Sequence, residues 1–358
     1  APSLNWDFGG EYRDTELKSY LEGIVKDIWQ NSERPHLPMR FVIQNTSLPN
    51  AFALPGYVAV TRGLLSLLEN EAQFAAVMGH EVGHVMARHT AKRISMGTLQ
   101  QFGVLLGGIV LEGAKGSDEI MTAASIGSSL ILLKYDRGQE IQADKLGVKY
   151  MAGLGYEPQE ALNAHERLEI AVSNYLKRGD AKQKGDTFIE ELLSTHPRTA
   201  VRRHEIEAMI GELSPFILKG DGRFKDRFQT MTARIREVNQ VYFTYDEAVN
   251  LYEKGKFQEA EERLNKSISM NKGQAPFYNL MGMTRLRQKA YYEAEMDFKK
   301  ALSIDTDYQP SHYGLGTAYY LNGNYNRAVD ELKRSLELYP SHPPSLFGIG
   351  RSYFQLKE

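Results

Sequence analysis

Residues 70–84 read NEAQFAAVMGHEVGH, and this stretch decides what must surround it. Asn70 offers a side-chain oxygen to cap a helix and Gln73 the reciprocal group three residues on, which predicts a helix from there to about Ile94. At about 100° per residue, His80 and His84 differ by about 40° around that helix, so both imidazoles can close on one Zn²⁺. Glu81 lies beside them and can reach a water at the metal. This is the arrangement of zinc hydrolysis, and it needs a third ligand.

The chain contains no cysteine and nine histidines, so any metal must sit on His, Asp and Glu. His89 follows His84 by five residues, about 140° round the predicted helix, and is expected to point away in a structural or surface role. Downstream, residues 135–144 read YDRGQEIQAD and open another helix with Glu140 and Asp144 on one face. Glu140 can complete a ligand set, and Asp144 can accept from a ligand imidazole and hold its tautomer. An ordinary solvated acidic face has the same i, i+4 spacing.

Outward from these motifs, the 358 residues suggest about two domains. Basic and acidic side chains number 43 and 45, and the segment 241–358 holds 15 of each, so neither part offers the basic field that nucleic acid requires. The most apolar runs, 104–111 and 126–133, fall well short of the ~18–20 apolar residues of a membrane span, so no transmembrane helix is expected. The sequence opens at Ala1 without methionine, as expected of either a processed or a trimmed chain, so export is left open.

Leu17, Leu21, Ile24, Val25, Ile28 and Trp29 form one stripe and predict an amphipathic helix over 16–29. Residues 40–44 and 57–61 read as two strands of a small sheet, separated by a Pro- and Gly-punctuated connection. The apolar, Gly-containing region 97–133 reads as core helices over the motif helix or as a mobile lid with peripheral membrane contact. Gly, Pro and Asp gather around 211–223. A first domain is therefore placed at 1–223 and a connecting helix at 224–240.

Beyond that point the sequence repeats. Gly282, Gly316 and Gly350 are spaced by 34 residues, as are Ala260, Ala294 and Ala328. A 34-residue period with small residues at fixed places is the tetratricopeptide (TPR) pattern, in which paired helices cross closely only at Gly, Ala or Ser. Residues 241–358 thus predict three repeats and a final helix, an α-α solenoid whose groove suits a protein or peptide partner.

Four motifs now stand in order: Asn50-Ala51-Phe52-Ala53-Leu54-Pro55-Gly56, then His80-Glu81-Val82-Gly83-His84, then Glu140-Ile141-Gln142-Ala143-Asp144, and Ser194-Thr195-His196-Pro197 with Arg202. Together they resemble the zinc peptidases that include HtpX, the Oma1-type and the CAAX prenyl proteases. Nearly the whole chain is similar to the soluble BepA-like members, which join such a domain to C-terminal TPRs. The resemblance implies a mainly α chain, with an α+β zincin-like metallopeptidase domain holding a small β-sheet, followed by the TPR solenoid. It implies one Zn²⁺ per chain on His80, His84 and Glu140, with Glu81 as general base and Asp144 as the carboxylate behind a ligand. His196 and Arg202 match the last motif, where either can steady an oxyanion or anchor substrate; alternatively His196 is an inhibitory fourth ligand, or the pair merely starts a helix with Arg202 exposed. Phe52, Ala53, Leu54, Pro55, Gly56 and Tyr57 are expected to supply an edge strand to which an extended substrate adds through main-chain hydrogen bonds. The family likeness further implies an endopeptidase acting on unfolded or misassembled protein in a periplasmic setting, in envelope or outer-membrane protein quality control. The alternative is a TPR-based binding or chaperone-like module with a resting or structural zinc.

Overall fold

The computed structural model describes residues 6, 9–89, 135–178, 200–213 and 215–357. The expectations for residues 97–133 and for His196 lie outside these. The described residues form two compact units, one drawn from 11–236 and the other from 237–357 with residues 6, 9 and 10; the division falls inside one helix, Lys225–Glu253. The helix read over 224–240 is therefore continuous with the first helix of the repeats.

The first unit opens with helix α1 (Thr15–Gln30), capped by Asp14, whose side chain accepts from the Leu17 amide. Leu17, Leu21, Ile24, Val25, Ile28 and Trp29 are all buried, as their spacing predicts. A three-stranded sheet follows, β1 (Arg40–Gln44), β2 (Ala51–Leu54) and β3 (Tyr57–Thr61), in the order β1-β3-β2. β1 runs parallel to β3, and β2 pairs antiparallel with it. The periodicity alone predicts two strands; the third, β2, overlaps the edge strand that the family resemblance places at 52–57, but ends at Leu54. β2 and β3 are joined by Pro55-Gly56 alone, with Gly56 at φ +81, so Pro fixes the first corner of the turn and Gly takes the left-handed second. Tyr57 pairs with both Arg40 and Leu54, so it lies on the central strand and is not part of an edge. A one-turn helix, α2 (Arg62–Leu65), leads from β3 towards the motif helix, α3 (Glu71–Met86).

Around α3 pack α4 (Arg137–Gly153), α5 (Glu160–Arg178) and, against α4 and α5, α6 (Ala200–Gly211). α3 and α4 cross with their backbones in contact, because the residues at the crossing carry no side chain. A Cβ added at Gly79 would lie 3.1 Å from the Gly147 Cα, one at Gly83 3.0 Å from the Ala143 carbonyl oxygen, and one at Gly147 2.8 Å from the His80 nitrogen. Gly147 follows Asp144 and Glu140 by three and seven residues, so the face of α4 that carries the acids also carries the contact. A Gly147→Ala variant is expected to push the helices apart at a cost of about 1–3 kcal/mol, read as a lower urea midpoint at unchanged m-value. A midpoint equal to wild type would show that the crossing does not depend on this glycine.

The N-terminus of α3 is held by Glu71, which is buried and accepts from Tyr156 Oη at 2.7 Å, from Arg227 Nε at 2.9 Å and from Tyr20 Oη. An acidic residue there also meets the positive end of the helix dipole. Burial, reinforced by the hydrogen bonds to Glu71, pushes both tyrosine hydroxyls far above their ordinary pKa.

The second unit continues α7 (Lys225–Glu253) into α8 (Phe257–Met270), α9 (Ala275–Arg287), α10 (Tyr291–Ile304), α11 (Gln309–Leu321), α12 (Tyr325–Leu338) and α13 (Pro343–Leu356). Ala260, Ala294 and Ala328 are each fully buried. A Cβ at Gly282 would lie 2.8 Å from the Phe298 ring, and one at Gly316 2.7 Å from Leu332 Cγ. Phe298 and Leu332 are themselves one period apart, so each glycine is the hole for the large residue of the neighbouring helix. No helix among the described residues is long and apolar enough to cross a membrane.

Candidate metal centre

The Asn70 side chain accepts from the Gln73 amide at 2.9 Å and so starts α3 where expected. Gln73 reaches back to the Glu69 amide, one residue earlier than a capping box would place it, at 2.8 Å. From this start, His80 and His84 share a face one turn apart, with their Nε2 atoms 3.0 Å from each other. α4 brings Glu140 across, Oε1 at 3.4 Å from His84 Nε2 and Oε2 at 3.7 Å from His80 Nε2. His84 and Glu140 are buried and the His80 side chain is 12% exposed, so Glu140 is no solvated acid.

One ligand atom from each of the three lies within 4.8 Å of the others. Two nitrogens held about 2.0–2.1 Å from a tetrahedral ion sit about 3.3 Å apart, which is close to the separations found here. Two imidazoles and a carboxylate are also the donors that suit a first-row divalent metal. The residues therefore fit a metal ion, and three protein ligands leave a coordination position open for chemistry.

Behind the ligands lies a second layer of charge. Asp144 Oδ1 is 2.8 Å from His80 Nδ1, so it can accept that N–H, which would leave the Nε2 lone pair available to a metal. Arg202, on α6, donates from Nε to Asp144 Oδ2 and from Nη2 to Oδ1, both at 2.7 Å, and its Nη1 is 2.5 Å from Glu140 Oε2. Burial alone would raise the Asp144 pKa, but the His80 imidazole beside it and the hydrogen bonds and charge of Arg202 together hold it well below the usual carboxylate range. Burial would likewise lower Arg202, and the Asp144, Glu140 and Glu81 charges raise it instead. Arg202 is only 3% exposed, which excludes the reading of a solvent-facing arginine that follows a helix start.

Glu81 is 4% exposed and lines a pocket with His80, Asp144, Arg202 and His165. His165, from α5, lies 3.9 Å from Asp144 Oδ1 and was not marked by any sequence motif. Pro49, Asn50 and Ala51 form another wall of the pocket. Phe52, Ala53 and Leu54 continue along β2, one of the two outer strands of the described sheet, with Pro55 and Gly56 in the turn, so Ala51 at the start of β2 borders the pocket and none of residues 52–57 does.

His89 departs most from its expected place. α3 ends at Met86 instead of near Ile94, and Arg88 takes a left-handed conformation at φ 60. The regular helix is broken there, so the 100° rule no longer applies past Met86. His89 is 2% exposed with its Nδ1 3.0 Å from His84 Nδ1 and its Nε2 3.0 Å from Gln142 Oε1. It therefore belongs to the site.

The pattern of peptidase family M48 matches residues 15–210. A second pattern, anaphase-promoting complex, cyclosome, subunit 3, matches residues 287–358. The mitochondrial metalloendopeptidase OMA1 of Arabidopsis thaliana is 32% identical over 180 residues, covering 50% of this chain and 30% of that protein. The beta-barrel assembly-enhancing protease of Yersinia pestis is 23% identical over 293 residues, 75% of this chain and 58% of that one. The chain thus spans less than two thirds of the length of either relative. Among solved structures, the Arabidopsis OM64 TPR domain aligns with 33% of this chain and 98% of its own, at 19% identity and a TM-score of 0.32. The M48 match covers more than half of the chain and contains His80, His84, Glu140, Asp144 and Arg202, and on that match the chain belongs to peptidase family M48.

Proposed function

We propose that the protein is a zinc-dependent endopeptidase in which His80, His84 and Glu140 hold one Zn²⁺ and Glu81 is the general base. The carrying observation is the convergence of three ligand atoms beside a buried carboxylate that opens on a pocket. Bound there, zinc supplies Lewis acidity that polarises the scissile carbonyl and lowers the pKa of water towards ~7. Glu81 takes the proton of the attacking water and later delivers it to the leaving amine. Asp144 orients His80, and Arg202 fixes Asp144 and Glu140; Arg202 acts through those carboxylates and is a positioning residue. His196 remains in the proposal as an oxyanion donor or as a resting-state ligand.

In this reading, residues 1–223 carry hydrolysis, 224–240 connect, and the repeats of 241–358 recruit a protein substrate or partner. The likeness to a protease named for enhancing beta-barrel assembly supports a role in the assembly of such proteins; in this reading the substrates are unfolded or misassembled envelope proteins and the setting is the periplasm. The test is zinc stoichiometry measured together with chelator-sensitive cleavage of casein. One zinc per chain with cleavage abolished by chelation is expected; one zinc with no cleavage, even after His196→Ala, favours the binding module. A His80→Ala variant is expected to lose the metal and all chelator-sensitive activity, because two ligands do not hold zinc against a competing chelator. Stoichiometric zinc in that variant would move the site elsewhere.

A further inference from the structure

We infer that His89 and Gln142 form a hydrogen-bond relay that sets the tautomer of His84 and so presents its Nε2 lone pair to the metal, an inference that rests on the zinc site proposed above. A neutral imidazole carries one N–H and one lone pair, so fixing one nitrogen fixes the other. Gln142 Oε1 can only accept, and it lies 3.0 Å from His89 Nε2, which must therefore bear the hydrogen. His89 Nδ1 is then a bare acceptor. His84 Nδ1, 3.0 Å away, donates to it. His84 Nε2 is left bare, pointing at His80 Nε2 and Glu140 Oε1 where the ion belongs.

The direction matters at every step. A donor in place of the Gln142 oxygen would put the hydrogen on His89 Nδ1, make His84 Nδ1 an acceptor, and leave an N–H on His84 Nε2 facing the metal position. Burial protects the inner link, since His84 is 0% and His89 2% exposed and bulk water cannot come between them, while Gln142 closes the outer end from the exposed face of α4. The Tyr135 ring stacks on His84 with centroids 3.8 Å apart at 24°, which holds the imidazole plane. The two histidine ligands thus differ. His80 is set in one step by the Asp144 carboxylate, whereas His84 is set in two by neutral groups. A further carboxylate behind His84 would add to the negative charge of Glu81, Glu140 and Asp144, which Arg202 alone opposes among the cations described above.

His89 and Gln142 are accordingly positioning residues. Gln142 is solvent-exposed at the surface of α4, so its replacement tests the relay without threatening the core. The experiment measures zinc affinity of the full chain by competition with a chromophoric chelator and reads the His89 tautomer from ring ¹⁵N shifts. Partners behind a ligand imidazole are worth about 10–100-fold in metal affinity. Gln142→Leu and His89→Leu are expected to weaken zinc by about that factor, and Gln142→Leu to move His89 away from its Nε2–H form. Gln142→Glu, which keeps the acceptor, and His89→Asn, whose Oδ1 takes the place of Nδ1, are expected to retain binding within a few-fold. Wild-type zinc binding with unchanged affinity in both leucine variants would overturn the relay and leave the site intact. A wild-type chain that binds no zinc would overturn the site itself, and the relay with it.

Discussion

Glu81→Gln is expected to lower kcat for peptide hydrolysis by roughly 10³-fold while zinc stays bound and KM changes little. Glu81 is 4% exposed, and glutamine has its shape, so the substitution leaves packing in place. What it removes is basicity. An amide cannot take a proton from the attacking water, and positioned general bases contribute about 10²–10⁴-fold. Zinc is retained because Glu81 follows His80 by a single residue, about 100° round α3, and is not among the three convergent ligands. The negative charge of Glu81 also acts on Arg202, which already has Asp144 and Glu140 beside it, so neutralising Glu81 does not strand the cation. Metal content by atomic absorption, melting temperature and steady-state kinetics on one preparation separate these effects. Full proteolysis by a pure, zinc-loaded Glu81→Gln protein would sink the mechanism.

Residues whose role follows from local periodicity were legible in the sequence. The α1 stripe, the shared face of His80 and His84, and the pairing of Glu140 with Asp144 each need only 3.6 residues per turn, and each stripe or face is found as expected. The 34-residue repeat is legible for a related reason, since it recurs at fixed intervals and needs no knowledge of the fold. What escaped depends on a break or on a partner far along the chain. α3 stops at Met86 although no Gly or Pro marks the place, and the left-handed residue that breaks the helix is Arg88, an unusual choice for that conformation. Extrapolating the helix turned His89 outward by the same rule that placed His84 correctly. β2 is only four residues, enclosed by Asn50 and Pro55, so its periodicity is too short to read and only the family motif pointed to a strand there. His165 enters the site through α5, whose own pattern shows a face but not what that face will meet, whereas Arg202, named by the last motif, enters through α6 and only its burial was hidden. The depth of Arg202 is visible only when the two carboxylates of α4 are placed against it.

That depth sets the largest expected stability effect. Arg202→Met removes the cation that bridges Asp144 and Glu140, both nearly inaccessible, while roughly preserving volume. Breaking a buried pair by removing one partner costs about 3–5 kcal/mol, because the stranded charge has lost its water and found nothing in exchange. Here two carboxylates are left facing one another, and in zinc-free protein the loss is expected at the upper end of that range. Zinc changes the balance. An ion on Glu140 neutralises one of the two charges, so the same substitution should cost less in zinc-loaded protein than in chelated protein. Urea titrations of wild type and variant, each with zinc and with chelator, give four stabilities from which this difference is read directly. Arg202→Lys should fall between, since one ammonium cannot reproduce the fork that meets both Asp144 oxygens and reaches Glu140. An equal loss with and without zinc would assign Arg202 a packing role instead, and a loss below about 1 kcal/mol in chelated protein would mean that the carboxylates find other partners once it is gone.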